Sequence, residues 1–378
     1  MIDTHSIRPG TVNVLIGPNG SGKSRLLRKL CTSFLRRGDE VIAIAPTIYD
    51  RFRRMPKRGL RFYGARQGRN AAIYVVRSAL ERASAQNPQI LKNLTRALEY
   101  TNFEPVIGIR LSDLNLDNFP AAEEHLARDE AENLRSALLK WQSRRERPDI
   151  IRLRMDSFSF EELDALTFAI IARHDDLLYR TKIASRIEYF LYRKAEPIPL
   201  LEACSGEICF ITTVAFISTQ IESRSVIAID EPDTSLHPTW QQSYVKTLLD
   251  LFHRYEPRIL ISTHSPIIIS GAEAASGAVA VFEMKGGEAS IFDHAKLSLE
   301  EMYDRLFGLI TPKNHYLSQR AVLLLNALNS GDRSLDQVVH ELGELRAKSY
   351  DESQQEVIVK VEAMARELDS MSGGAAHD

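Results

Sequence analysis

The stretch TVNVLIGPNGSGKSRLLRKL, residues 11–30, decides the fold. Its apolar, β-branched run from Val12 to Ile16 predicts a buried strand, and the leucines that recur at helical spacing after Lys23 predict a helix. The glycine-rich turn between them matches the phosphate-binding loop pattern, in which backbone N–H groups and a helix N-terminus surround an anion. A second apolar run at residues 40–46 predicts another strand, so the chain begins as a parallel α/β unit.

The phosphate-binding loop (P-loop), residues 17–24, suggests a role for each part of the motif. We expect Lys23 to reach the β- and γ-phosphates of a nucleotide and the Ser24 hydroxyl to bind Mg²⁺. ATP and Mg²⁺ are therefore the predicted cofactors. The predicted nucleotide-binding residues of this segment are Gly17, Pro18, Asn19, Gly20, Ser21, Gly22, Lys23, Ser24 and Arg25.

Apolar strands return at residues 226–229 and 259–261, and each is followed by residues that suit phosphoryl transfer. Asp230 is a predicted metal ligand, together with Ser24, and Glu231 is predicted to activate the attacking water. His264 follows the second strand, on the sheet edge where ligands bind in parallel sheets. Taken singly, an acid pair or a histidine at a strand end is equally compatible with a structural role. Together with the P-loop, the predicted catalytic residues are Glu231, His264 and Lys23.

A fourth element, ACSGEICFITTVAF, begins at Ala203. Ser205 is predicted to be the N-cap of an apolar, buried helix that runs to about Ile221. At such a helix start, Ser205 and Gly206 would offer a hydroxyl and N–H groups to a phosphate. An ordinary capped core helix is the alternative.

The chain resembles the ABC-type ATPases of the SMC, RecF and OLD group in the order and the residues of four motifs, GPNGSGKS, SGE, IAIDEPDTSLHP and ISTHSP. The resemblance implies two ATPase heads that sandwich two nucleotides, with Ser205 and Gly206 of one head on the γ-phosphate held by the other. It also implies a dimer seam at residues 233–238. The spellings DTSLHP and STHSP are more similar to OLD-like and phage-defence ATPases, such as the Septu subunit PtuA, than to transporter ATPases.

Two departures from that pattern affect the site. The family's signature motif, which contains the residues that correspond to Ser205 and Gly206, reads ACSGE here instead of LSGGQ. The Q-loop glutamine that usually follows the second strand has only Gln67 as a candidate.

The predicted fold class is α/β, a P-loop NTPase of the ABC-ATPase head type with a helical insertion and a helical C-terminal region. Helical patterns at residues 121–147 and 159–194 carry the predicted insertion, and a hairpin is predicted at residues 278–292. The predicted domains are an N-terminal ATPase lobe (1–60), a mainly helical insertion (61–197), a C-terminal ATPase lobe with the signature, Walker B acids and switch histidine (198–295), and a helical C-terminal region (296–378).

Charge is balanced overall and uneven locally. Lys and Arg total 48 against 50 Asp and Glu, which excludes a protein that coats nucleic acid with a uniformly basic surface. Residues 51–69, however, carry eight cations and no acid, with Phe52, Phe62 and Tyr63 between them. This composition suits a nucleic-acid backbone whose bases stack on the rings. A solvated or inter-subunit surface, or an arginine that reaches the nucleotide, remains an equal alternative.

The remaining expectations concern location, partners and activity. Three cysteines, no secretory signal and no apolar stretch of membrane-spanning length predict a cytoplasmic protein with no membrane contact. The resemblance implies an ATP hydrolase that forms a homodimer of heads or a higher oligomer. Residues 296–378 contain no Asp-x-Asp of a nuclease domain, so a separate nuclease effector in an anti-phage system is the predicted partner. A RecF- or SMC-like DNA repair or chromosome-maintenance ATPase is the alternative.

Overall fold

The computed structural model describes residues 2, 4–47, 51–68, 70–85, 87–143, 150–156, 159–160, 165–294, 297–308, 315–347 and 352–374. These residues form twelve strands: β1 (Val12–Ile16), β2 (Val41–Ala45), β3 (Leu60–Gly64), β4 (Val106–Arg110), β5 (Ile151–Arg154), β6 (Ser159–Phe160), β7 (Glu188–Arg193), β8 (Glu196–Pro199), β9 (Val226–Asp230), β10 (Arg258–Thr263), β11 (Val279–Lys285) and β12 (Glu288–Ile291).

The same residues form fourteen helices. They are α1 (Lys23–Arg36), α2 (Asn70–Ala85), α3 (Pro88–Tyr100), α4 (Pro120–Glu123), α5 (Arg128–Gln142), α6 (Ala165–Arg173), α7 (Asp175–Arg180), α8 (Ser205–Gln220), α9 (Pro238–Phe252), α10 (Pro266–Ala275), α11 (Leu299–Phe307), α12 (His315–Asn329), α13 (Leu335–Ala347) and α14 (Glu352–Gly374). No helix among them is long and apolar enough to cross a membrane.

A seven-stranded sheet in the order β12-β11-β1-β10-β9-β2-β3 joins strands of the two predicted ATPase lobes. Its neighbouring strands are parallel except β12, which pairs antiparallel with β11 in the predicted hairpin. The strands predicted at residues 12–16, 40–46, 226–229 and 259–261 are confirmed in this sheet. A parallel sheet buried on both faces explains why these runs are continuously apolar.

Helices cover both faces of the sheet because successive side chains along each strand point to opposite sides. Leu15 packs with Leu27, Leu30 and Phe34 of α1 in one core. On the other side, Val12, Val14 and Ile16 join a larger core that includes buried side chains of α8, α9 and α10. That second core continues without a break into the helices between β3 and β7.

The region between the two predicted ATPase lobes contains a second, antiparallel sheet in the order β6-β5-β4-β7-β8. The single helix predicted over residues 159–194 is therefore wrong: that segment includes β6, α6, α7 and β7. The prediction failed because β7 lacks the alternation of polar and apolar residues that is typical of a strand in an antiparallel sheet. Arg110 and Arg152 lie over the Phe190 and Tyr192 rings, 4.9 Å from each ring centroid, and cover its outer face.

The predicted polar helix at residues 121–147 is interrupted in the structure. Helix α4 ends at Glu123 and α5 begins at Arg128, while residues 144–149 lie outside the described part of the chain. In the C-terminal region, α12, α13 and α14 pack around a small hydrophobic core of their own, separate from the two cores of the sheet.

Candidate functional site

Strand register brings the predicted catalytic residues to one edge of the main sheet. In the pairing of β1 with β10, Ile16 lies opposite Thr263, and in that of β10 with β9, Ser262 lies opposite Asp230. The P-loop, Glu231 and His264 therefore all begin at the carboxyl ends of three adjacent parallel strands. This is the edge at which open α/β sheets bind ligands.

The P-loop has the backbone that a phosphate cradle requires. Gly17, Gly20 and Gly22 have positive φ angles of 152°, 78° and 100°, and Gly22 immediately precedes α1. The turn of the β11–β12 hairpin braces the loop, because Gly287 N–H donates to the Ser21 carbonyl at 3.1 Å. The Ser21 hydroxyl is buried without a hydrogen-bond partner. An unpartnered buried hydroxyl inside a nest of N–H groups fits a phosphate oxygen.

Lys23, His264 and Glu231 form a connected cluster. The Lys23 ammonium donates to the carbonyls of Gly17 and Pro18 at 2.9 and 3.1 Å and lies 3.1 Å from both ring nitrogens of His264. His264 Nε2 lies 2.9 Å from Glu231 Oε1. A neutral imidazole with its proton on Nε2 satisfies both contacts, since Nε2 donates to the carboxylate and Nδ1 accepts from the ammonium.

The environment sets the charge of each member of this cluster. Burial lowers the pKa of Lys23, although the carboxylates of Glu231, Asp230 and Asp233 oppose that effect. The hydrogen bond from His264 lowers the pKa of Glu231 below its usual value, against a smaller effect of burial. Glu231 therefore stays ionised at neutral pH, which is the form that a general base requires.

Asp230 and Ser24 supply the oxygen atoms of the predicted metal site. Asp230 is buried and accepts hydrogen bonds from the hydroxyls of Ser262 and Ser24, while burial raises its pKa. A carboxylate beside a hydroxyl at the mouth of a phosphate loop fits Mg²⁺, which prefers hard oxygen ligands and binds through few protein groups. The residues present thus suit the predicted cofactor.

Asp233 connects this cluster to the following loop, and its contacts were not anticipated from the sequence. Its carboxylate accepts the Thr263 hydroxyl at 2.6 Å and the His264 backbone N–H at 3.3 Å. Gln241 braces the same loop: its amide donates to the carbonyls of Asp233 and Leu236, and its Oε1 accepts the Ser265 hydroxyl.

The start of α8 lies apart from the P-loop. Cys204, one residue before the predicted cap, is the N-cap, and Ser205 is the first helical residue. Ser205 is exposed and lines a cavity of about 380 Å³, whereas Gly206 packs against the Ser235 carbonyl. Among the described residues, no hydrogen bond joins Ser205 or Gly206 to the P-loop of the same chain.

The cationic stretch runs along β3, the edge strand of the main sheet. Phe52 is buried, so the predicted stacking of bases on its ring is wrong. Phe62 and Tyr63 are half-buried and pack against the two cores of the sheet. Six cations are exposed and pair with no carboxylate within the described part of the chain, and Arg69 lies outside it; the six are Arg51, Arg54, Lys57, Arg58, Arg61 and Arg66.

Gln67, the candidate for the missing glutamine, does not join the cluster around Lys23. It is exposed in the short turn after β3, and its side-chain amide donates to the Phe62 carbonyl at 3.3 Å.

Comparison with known proteins identifies a family. Residues 12–270 match the model of an AAA domain described as a putative AbiEii toxin of a type IV toxin–antitoxin system. A segment of 70 residues is 30% identical to protein ea59 of Escherichia phage lambda, and this match spans 18% of the chain and 13% of ea59.

Solved structures that align with the chain are more distant. An inward-facing putative metal-chelate type ABC transporter aligns with a TM-score of 0.32 and 13% identity over 80% of each chain. An ATP-binding cassette of an ABC transporter in its ADP conformation aligns at 0.30 and 14%, over 79% of this chain and 84% of that one. An Smc head domain from Pyrococcus furiosus, bound to the C-terminal domain of ScpA, aligns at 0.27 and 13%, over 79% and 92%.

The family match covers more than half of the chain, so the chain belongs to this AAA-domain family. Together with the parallel sheet and the loop between β1 and α1, it confirms the predicted α/β P-loop NTPase fold.

Proposed function

We propose that this AAA-domain protein binds ATP with Mg²⁺, hydrolyses it to ADP and phosphate, and uses the cycle to switch between assembled and separated heads. The single observation that carries the proposal is the convergence of Lys23, Asp230, Glu231 and His264 at the ends of three adjacent strands. Phosphoryl transfer needs a metal ligand, an oriented nucleophile and positive charge on the phosphates, and these four side chains supply them.

The residues of the site would have separate roles in phosphate binding, metal binding and proton transfer. The P-loop N–H groups, the Ser21 hydroxyl and Lys23 would hold the phosphates, and Ser24 with Asp230 would hold Mg²⁺, which would supply positive charge to them. Glu231 accepts a proton from the attacking water. His264 holds that carboxylate by its 2.9 Å contact and would be available to the γ-phosphate.

A second head would complete the site. Ser205 is exposed at the N-terminus of α8 and, among the described residues, has no hydrogen bond to its own P-loop, so its hydroxyl is accessible to a nucleotide held by another copy. The N-terminus of a sixteen-residue helix also favours an anion. A homodimer of heads, or a higher oligomer, is therefore the proposed active form.

The proposed biological output is anti-phage defence through a separate nuclease effector. The matched family is described by a putative toxin of a toxin–antitoxin system, which is compatible with such a role. The C-terminal helices α12–α14, with their own core and exposed apolar side chains such as Leu323 and Met364, offer a surface for that partner.

The alternative is a RecF- or SMC-like ATPase of DNA repair or chromosome maintenance, for which the cationic edge along β3 would bind DNA. Identification of the protein or nucleic acid that copurifies with the native complex distinguishes these outputs. A bound nuclease supports the first, and ATP-dependent binding to DNA ends or gaps without such a partner supports the second.

Steady-state hydrolysis of ATP tests the core proposal. We expect Glu231→Gln to lower kcat by about 10²–10⁴-fold, because the amide cannot accept the proton, while ATP binding and ATP-bound dimers persist. Glu196→Gln, at an exposed carboxylate on β8, is the control and should retain wild-type turnover. Normal hydrolysis by Glu231→Gln would contradict the role of this residue, and a wild-type protein without ATPase activity would contradict the function.

A further inference from the structure

The first turn of α8 carries a buried charge with no part in the nucleotide cluster. Glu207 is 6% exposed, and one carboxylate oxygen accepts the backbone N–H of Cys204 at 2.9 Å. The other oxygen accepts Arg193 Nη2 at 2.6 Å. Arg193 is the last residue of β7 in the second sheet, so one ion pair joins the region between the lobes to the helix that carries Ser205 and Gly206.

Arg193 is itself held from several sides. Its Nη2 donates to the Thr101 carbonyl at 3.3 Å and its Nε to the Asn102 carbonyl at 3.4 Å, just beyond the end of α3. Its guanidinium lies 4.2 Å from the centroid of the Phe103 ring. Carbonyls at a helix C-terminus favour a cation, so α3 and β7 together fix the position of this side chain.

The position of Glu207 depends on Arg193 because a buried carboxylate without a partner is costly. Glu207 in turn fixes the first turn of α8, since it satisfies the N–H of the cap residue. Helix α3 reinforces the link from the side: the Tyr100 ring stacks on Phe210 of α8 with centroids 3.9 Å apart. Contacts from the region between the lobes therefore help to hold the first turn of α8, which carries Ser205.

We propose that Arg193 is a positioning residue, which sets Ser205 and Gly206 against the nucleotide of a second head and so couples the region between the lobes to ATP hydrolysis. This inference rests on the proposed two-headed function.

A route within one head competes with this one. Gly206 packs against Ser235, whose loop holds Asp233, and Asp233 contacts His264 of the same chain. Mixed dimers distinguish the two routes. In them, the chain with an intact P-loop carries the Arg193 substitution, while its partner supplies intact Ser205 and Gly206.

The experiment mixes Arg193→Ala protein with Lys23→Ala protein in equal amounts. Each alone should be nearly inactive: Lys23→Ala loses phosphate binding, and Arg193→Ala should lower kcat by about 10–100-fold through misplacement of the signature residues. The KM of Arg193→Ala should stay near the wild-type value, since its own P-loop is intact.

In the mixed dimer, the intact P-loop of the Arg193→Ala chain faces the intact signature of the Lys23→Ala chain. Random pairing makes half of the dimers mixed, each with one complete site of two, so about one quarter of wild-type activity should return. If Arg193 acts within its own head, no complete site forms and no activity returns, which would overturn the proposal.

Three further variants keep the result interpretable. Arg110→Ala also removes an ion pair and a ring contact from the second sheet, with Glu188 and Phe190, and should retain wild-type kcat. Glu207→Gln keeps an oxygen for the Cys204 N–H and places an uncharged amide NH2 where the other oxygen accepts from Arg193, so it removes the ion pair and its hydrogen bond. It should fold normally and reproduce the loss of kcat; wild-type kcat in this variant would count against the ion pair.

Ser205→Ala mixed with Lys23→Ala tests the premise. Recovery here without recovery for Arg193→Ala overturns the role of Arg193 and leaves the two-headed function standing. Failure of both mixtures overturns both.

Discussion

The substitution Gly206→Ala, which adds a single methyl group, tests the contact between α8 and the loop that follows Asp230 and Glu231. A Cβ added there would lie 2.2 Å from the Ser235 carbonyl oxygen and 3.6 Å from the Trp240 ring. The carbonyl belongs to backbone and would have to move by about 1 Å to restore an ordinary contact distance. The loop that must move holds Asp233, which accepts the Thr263 hydroxyl at 2.6 Å.

The two opposing effects of Gly206→Ala differ in size. Alanine in a helix is favoured over glycine by about 0.5–1 kcal/mol, and overpacking against a fixed neighbour costs about 1–3 kcal/mol. We therefore expect the free energy of unfolding to fall by about 1–2 kcal/mol. Urea unfolding followed by circular dichroism measures this change, and ATP hydrolysis should fall with it because the loop that moves holds Asp233 and reaches His264.

Gly277→Ala is the matched control. No atom lies within 4 Å of a Cβ at Gly277, and its backbone is outside the left-handed region. The substitution should raise stability by about 0.4–1 kcal/mol through the unfolded chain. If Gly206→Ala is as stable as the wild type or more stable, the close approach of α8 to Ser235 is not a feature of the folded protein.

Two further predictions concern charge. Arg54→Glu with Arg58→Glu should weaken DNA binding and reduce its dependence on salt. Each lost phosphate contact lowers the slope of the logarithm of the binding constant against the logarithm of salt concentration by about 0.9. Unchanged binding in filter or anisotropy assays would refute a nucleic-acid surface. In the C-terminal helices, burial opposes the charge of Glu341, but hydrogen bonds from Arg320 and Arg333 outweigh it and lower its pKa below 4.5. This carboxylate therefore stabilises the fold above pH 4.5, and the effect disappears as pH falls through the lowered value. Glu341→Gln should cost about 1–2 kcal/mol at pH 7 and little in acid, and an equal loss of thermal stability at both pH values would contradict the ion pairs.

The strands of the ATPase lobes could be predicted because burial on both faces leaves a continuous apolar run, as in Val226–Asp230. The antiparallel sheet between the lobes could not. In β7, aromatic side chains on the outer face are covered by arginines from neighbouring strands, and such cover depends on contacts that a single sequence does not display.

For the candidate site, the sequence by itself determined the chemistry: a glycine-rich loop before a helix, and acids and a histidine at the ends of apolar strands. Only the tertiary structure decided which side chains meet. Strand register brought Ser262 to Asp230, packing buried the Phe52 ring of the cationic stretch, and Arg193 of the second sheet reached Glu207 of α8. The physical reason is that residue type and spacing encode local structure, whereas burial and pairing arise from contacts between segments far apart in the chain.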